Sequence, residues 1–217
     1  TFIAEWFAFF MGLAICFVVS RKFPKIIWPL IFSKTKIIAI LVVNRDIFLR
    51  SLMLEIIFVS FLMTSGKFGD VELAATQILL QFLHISAYGM DGFAFAAEVL
   101  VGQAVGKSNR FMLRDAVIKS GLWTFIIAVF LALIYALFGS VFIKLMTTSD
   151  EVILASEAFL IFIVLGPIFG ALPFLMDGIF VGATRSMDMR NMMFLSLIIY
   201  VVSAYVLIDL YGFYGLW

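Results

Sequence analysis

One histidine, one cysteine and four prolines are all that 217 residues hold of those types. The single His84 excludes a multi-histidine metal site, and the single Cys16 excludes an internal disulfide or paired thiolate ligands. Cys16 itself reads as a small apolar residue in a hydrophobic run. Charge is scarce as well: 13% of residues are Asp, Glu, Lys or Arg, against roughly 25% in soluble domains. There is no phosphate-cradling GxxxxGK[ST] loop, no HExxH and no GxSxG elbow. The chain therefore has no nucleotide site of its own to drive transport, and no compact nucleophile or metal set that an enzyme would need. No enzymatic activity, cofactor or nucleic-acid partner is expected.

Apolar sequence fills the space that charge leaves. Hydrophobic residues make up 65% of the chain, 26 of its residues are Phe, and the mean hydropathy is +1.17. This predicts an all-α polytopic protein whose main partner is the lipid bilayer. At about 20 residues per crossing, the length allows six spans. They are expected near residues 2–19, 47–64, 73–106, 116–146, 152–183 and 192–208. Glu5 reads as interfacial in the first. Trp28 and its aliphatic neighbours, in the basic connection after it, read as an interfacial helix. Arg50 stands near the start of the second span, where it can snorkel to the headgroups. Pro167 and Pro173 favour kinks in the fifth. The sequence shows no soluble domain, low-complexity tract or internal repeat. It lacks an initiator Met and stops where another span would begin, so a longer parent is expected.

The basic residues predict orientation. Arg21, Lys22, Lys25, Lys34, Lys36, Arg45 and Arg50 flank the first connection, Lys107, Arg110, Arg114 and Lys119 the third, and Arg185 and Arg190 the fifth. The second and fourth hold only Lys67 and Lys144. Under the positive-inside rule the odd connections are cytoplasmic and the first residue lies outside, as expected of a multi-pass protein of the cell (plasma or inner) membrane.

The third span carries the polar residues that chemistry would use. Gln77, His84, Asp91 and Glu98 recur every seven residues. Seven residues is nearly two helical turns, so the four share a face with a drift of about 20° per step. Such a stripe must face a helix bundle or a water-filled cavity, since a carboxylate at the bilayer centre costs roughly 2.5 kcal/mol or more. For Gln77 and His84, ordinary hydrogen bonding to neighbouring helices explains the residues equally well. Phe93 and Phe95 beside the stripe are candidate cavity walls for flat apolar cations, although packing explains most phenylalanines here.

Glu55 and Asp177 lie inside apolar sequence too, which brings the buried acids to four on three helices: Glu55, Asp91, Glu98 and Asp177. Carboxylates crowded in a poorly hydrated site repel, and a proton or metal cation relieves the repulsion. The competing explanation is a static charge pair, with Arg50 or Arg185 neutralising one of them.

At this point the residues resemble a family. Residues 44–50 (NRDIFLR) with Glu55, residues 88–98 (YGMDGFAFAAE), residues 101–106 (VGQAVG) and residues 177–185 (DGIFVGATR) are similar to the C-terminal half of multidrug and toxic compound extrusion (MATE) transporters, most of all the branch of DNA-damage-inducible protein F. The resemblance implies a twelve-helix fold in two pseudo-symmetric lobes. Residues 1–20 would be the last helix of the N-terminal half, 21–43 the cytoplasmic inter-lobe connection, and 44–217 an incomplete C-terminal lobe. The six spans would then be helices six to eleven, with the start of the twelfth after them. It also implies that Glu55 and Asp177 bind the coupling cation, H⁺ or Na⁺, and that Asp91, Glu98, His84 and Gln77 shape the cavity or assist coupling. The expected activity is antiport that exports small organic, often cationic, compounds. The missing N-terminal lobe of the same chain would be the partner, and the full-length protein a monomer. A lipid-linked saccharide flippase of the same superfamily and a structural membrane subunit are the alternatives.

Overall fold

Small residues three and four positions apart build the centre of this protein. The structure is a computed structural model that describes residues 2–20 and 33–217. The expected interfacial helix around Trp28 falls outside the described residues. The long helices are α1 (Phe2–Ser20), α2 (Lys34–Ser65), α3 (Asp70–Gly106), α4 (Arg110–Met146), α5 (Asp150–Gly182) and α6 (Ser186–Tyr211), followed by the single turn α7 (Phe213–Leu216). The chain divides into two units, Thr1–Val42 and Val43–Trp217. In the first, α1 is apolar along its whole length and exposed throughout. Everything described below lies in the second.

Helices α3, α4 and α5 pack on one another as a three-helix core. On α4 the buried positions run Ala116, Ser120, Thr124, Ala128, Ala132, Tyr135, Gly139 and Ile143. On α5 they run Val152, Ser156, Phe159, Ile163, Pro167, Ala171, Leu175 and Gly178. Such small residues let helix backbones approach closely, which is how helices associate where lipid removes the hydrophobic incentive. One end of the core is filled by Leu79, Phe82, Tyr135, Ile143, Phe159 and Ile163. There the Tyr135 hydroxyl donates to the Phe82 carbonyl at 3.0 Å and shares a second bond of 3.0 Å with Ser86.

Helices α3 and α5 run parallel and approach closely. A Cβ added at Gly166 would meet Leu83, one at Gly178 the backbone of Ala94, and one at Gly182 the backbone of Glu98. The partners advance together along both helices. At Gly178 and Gly182 the two backbones touch, so these positions need glycine.

The core helices end in a repeated device. After Gly106 and after Gly182 the chain makes the same turn: Ser108 N–H bonds to Val105 O and Asn109 N–H to Ala104 O, just as Thr184 N–H bonds to Val181 O and Arg185 N–H to Phe180 O. Ser108 and Thr184 both take positive φ, 52° and 56°. The pattern GxxxG followed by x-[ST]-x underlies both turns (residues 102–109 and 178–185). This is an internal correspondence within a sequence that reads as free of repeats; its two copies share too few side chains to stand out.

The span limits differ from the sequence expectation, most of all in α2. The second span was expected at residues 47–64, but its helix begins at Lys34 and runs 32 residues to Ser65. The polar triplet Asn44-Arg45-Asp46, read as its entrance, lies inside it. Of the six expected crossings, five of the described helices are long and apolar enough: α1, α2, α4, α5 and α6. Helix α3 is the exception, because Gln77, Gln81, His84, Asp91, Glu98 and Gln103 dilute its hydropathy. At 37 residues it is about 55 Å long, well beyond a hydrocarbon core of roughly 30 Å. Pro167 and Pro173 both lie inside α5, which continues as one helix through them.

Candidate functional site

Helix α3 separates its two faces cleanly. Ala75, Leu79, Phe82, Ser86, Met90, Ala94, Ala97 and Val101 are buried against the core. Gln77, His84, Asp91 and Glu98 occupy a different face, none of them fully buried. Gln77 and His84 are exposed, while Asp91 and Glu98 are half-buried. His84 stacks loosely against Phe58 of α2, with ring centroids 5.9 Å apart. The backbone of Glu98 forms the floor under Gly182.

Charges from three helices meet at one point on this face. The Arg50 guanidinium of α2 donates from Nη2 to the Asp177 carboxylate of α5. Asp91 of α3 is near enough to interact electrostatically with both. The Arg50 and Asp177 side chains are 25% and 29% exposed, so this chain covers the pair only in part. Arg50 was expected to snorkel outward; it turns inward to a carboxylate, which is how a cation inside a span avoids the cost of standing alone. Asp177 precedes Gly178, so the tight crossing of α5 on α3 fixes where this carboxylate stands.

One turn earlier on α2 is a second ion pair of opposite polarity. Asp46 is 1% exposed and accepts from Arg190 of α6 at 2.7 Å and from its neighbour Arg45 at 2.9 Å. Asp46 and Arg50 are four positions apart and so share a face of α2. That spacing was the available signal for both pairs, and starting the span at residue 47, after Asp46, concealed it. Helix α2 is thus held to α5 by its cation and to α6 by its anion. A third polar contact, Ser60 to Tyr200 at 3.2 Å, ties α2 to α6 further along.

Glu55 is not part of this cluster. It lies five positions after Arg50, about 140° round the helix, exposed, and with no hydrogen-bond or ion-pair partner among the described residues. The structure therefore brings Asp91 and Asp177 together around Arg50 and leaves Glu55 apart. Among the described residues, no three acidic, His or Cys side chains converge.

A cavity of about 480 Å³ opens beside the stripe, between α2, α3, α5 and the chain's last turn. Five aromatic side chains line it: Phe58, Phe61, Phe162, Phe169 and Trp217, with Leu80, Leu83 and Gly166 among the rest. Phe93 and Phe95 are not in its wall. Its size and apolar lining suit a small-molecule site. Ile163 and Phe169, also in the lining, are the residues whose carbonyls Pro167 and Pro173 deprive of a helical donor.

The helices and this ion-paired, partly covered charge cluster define a multi-pass membrane protein with a polar site inside its apolar body. A family model described as MatE matches residues 46–206. DNA damage-inducible protein F of Escherichia coli (strain K12) is 35% identical over 154 residues, 71% of this chain and 34% of that protein. The chain belongs to the MatE family, whose members are membrane transporters and not enzymes. It spans about a third of the length of the curated relative it matches.

Proposed function

We propose that this chain is the C-terminal part of a secondary antiporter that exports small organic, often cationic, compounds in exchange for H⁺ or Na⁺. The Arg50–Asp177 pair with Asp91 beside it carries this reading, because it joins three helices through groups whose pairing a bound cation changes. A ligand moves a conformational equilibrium only through differential affinity for the two states. A proton or metal ion on a carboxylate that one state pairs with Arg50 has that property. Asp177 and Glu55 are the proposed coupling acids. Asp91, Glu98, His84 and Gln77 shape a polar path along α3. The aromatic cavity takes the apolar part of the substrate, with ring faces suited to a cationic head.

The N-terminal lobe of the same protein is the proposed cover for the polar face of α3, and rocking of one lobe against the other gives alternating access. Cytoplasmic odd connections, in a plasma or inner membrane, are the proposed orientation, supported by the basic residues of those connections. A saccharide flippase needs free cations to hold a pyrophosphate; Arg50 is already committed to Asp177, which disfavours that reading.

The test is efflux of an organic cation from cells expressing the full-length parent, with the pH and Na⁺ gradients collapsed in turn. Wild type, Glu55→Gln and Asp177→Asn run side by side. Loss with one gradient and loss in a neutralised variant support antiport and name the ion. Efflux indifferent to both gradients and to both acids refutes it.

A further inference from the structure

We infer that Arg50 is the ion-selecting residue of this lobe, a tethered cation paired with Asp177, with Asp91 beside the pair, in the place a sodium ion would take, so that only a proton can enter. The inference rests on the antiport reading and names the coupling ion it leaves open.

Charge and ligand number carry the argument. Two carboxylates and one guanidinium leave the cluster with one net negative charge, which one monovalent cation neutralises. A hard metal ion is held by a shell of oxygens drawn from several groups. Here Asp177 is already taken by Arg50, and among the described residues no third acidic group joins the cluster. A proton needs only one oxygen. Arginine is never deprotonated in proteins, so Arg50 cannot leave by neutralising itself. When a proton binds the Asp177 carboxylate and makes it a carboxylic acid, the guanidinium loses its anionic partner and Asp91 is its remaining one. When the proton departs, the Asp177 pair forms again. Each exchange shifts the tie of α2 between α5 and α3. The neighbouring charges do not compete for this role: Arg190 of α6 is held by Asp46, and Glu55 lies on another side of α2.

The measurement is thermal unfolding of the purified full-length parent in NaCl against choline chloride at equal ionic strength. A cation that binds only the native state raises the unfolding temperature. Wild type and Arg50→Lys should unfold alike in both salts. Arg50→Gln should be stabilised by NaCl, with an apparent sodium affinity about ten-fold or more tighter than wild type, and Arg50→Gln/Asp177→Asn should lose that gain. Sodium stabilisation of wild type, or a folded Arg50→Gln as indifferent to sodium as wild type, overturns the inference. Should Arg50→Gln not fold, Asp177→Asn decides, because it keeps the guanidinium. It should remain sodium-indifferent while its unfolding temperature loses the wild-type dependence on pH, and sodium stabilisation or an unchanged pH profile of unfolding overturns the inference. Unfolding needs no transport, so efflux that ignores both gradients would sink the antiport reading and leave this one standing.

Discussion

Replacing Gly178 with Ala tests the structural basis of the site most directly. The added methyl group would meet the backbone of Ala94, overlapping its carbonyl oxygen, with the carbonyl carbon at 2.8 Å and Cα at 3.0 Å. No rotamer change relieves a contact with backbone. Ordinary contact begins near 3.4 Å, so the carbonyl carbon alone must retreat by 3.4 − 2.8 = 0.6 Å, and the oxygen by more. That movement separates α5 from α3 along a seam held by many weak contacts, each sensitive to fractions of an ångström. Overpacking of this kind costs about 1–3 kcal/mol. It also displaces Asp177, the preceding residue, from Asp91, so transport should fall even in protein that still folds. Gly92→Ala, on α3 across the seam, is the control: its Cβ meets nothing within 4 Å. There alanine should be neutral or stabilise by up to about 1 kcal/mol through helix propensity. The assay is heat- or detergent-driven unfolding of the full-length parent, paired with efflux per folded molecule. If Gly178→Ala unfolds with wild type and transports normally, the α3–α5 seam is not the rigid frame of the site.

Three further outcomes follow from the same contacts. Arg190→Gln should loosen α2 from α6 and lower the unfolding temperature, and Asp46→Asn/Arg190→Gln should be no less stable than the worse single variant; additive losses would deny the pair. Tyr135→Phe removes two hydrogen bonds of 3.0 Å in the core and should cost about 1.2 kcal/mol, twice the average of about 0.6 for a bond between membrane helices, with transport unchanged; a loss of several kcal/mol would show that the hydroxyl does more than join α3 to α4. Leu165→Trp narrows the aromatic cavity and should cut efflux of bulky cations more than of small ones, measured as a ratio in competition; an equal effect on both would remove the cavity from the substrate path.

What could be read before the structure was whatever depended on period and polarity. The seven-residue stripe on α3 is one face, as the helical period requires, and the core lies on another. The class of protein followed from composition alone. Helix ends were harder. Asn44-Arg45-Asp46 looks like the entrance of a span because three polar residues interrupt apolar sequence, yet Asp46 is buried by Arg190, 144 positions away. Nothing local announces such a partner. The pairing of Arg50 with Asp177 was weighed only as a static alternative, and the choice between carboxylates depended on which way each points round its helix. Glu55 and Arg50 look adjacent in sequence and face different ways on α2.

The two kinds of contact in this protein divide its helices by what can change them. Between α3, α4 and α5 the tightest contacts are backbone against small residue, as at Gly178 on Ala94 and Gly182 on Glu98, with the Tyr135 hydrogen bonds and one largely exposed ion pair, Lys144–Glu157, outside that seam. No proton, ion or substrate can weaken those backbone contacts, since they carry no charge and have no room to enter. Between α2 and its neighbours the polar ties are Arg50–Asp177, Asp46–Arg190 and Ser60–Tyr200, with ring contacts at Phe58–His84 and Phe61–Trp217. An ion pair is worth what its partner's charge makes it, and a single protonation removes that charge. A switch built from these parts would therefore keep the three-helix core fixed and move α2 upon it. The glycine at 178 serves that arrangement twice: it makes the core too tight to yield, and it fixes Asp177 at the edge where the movable helix is tied.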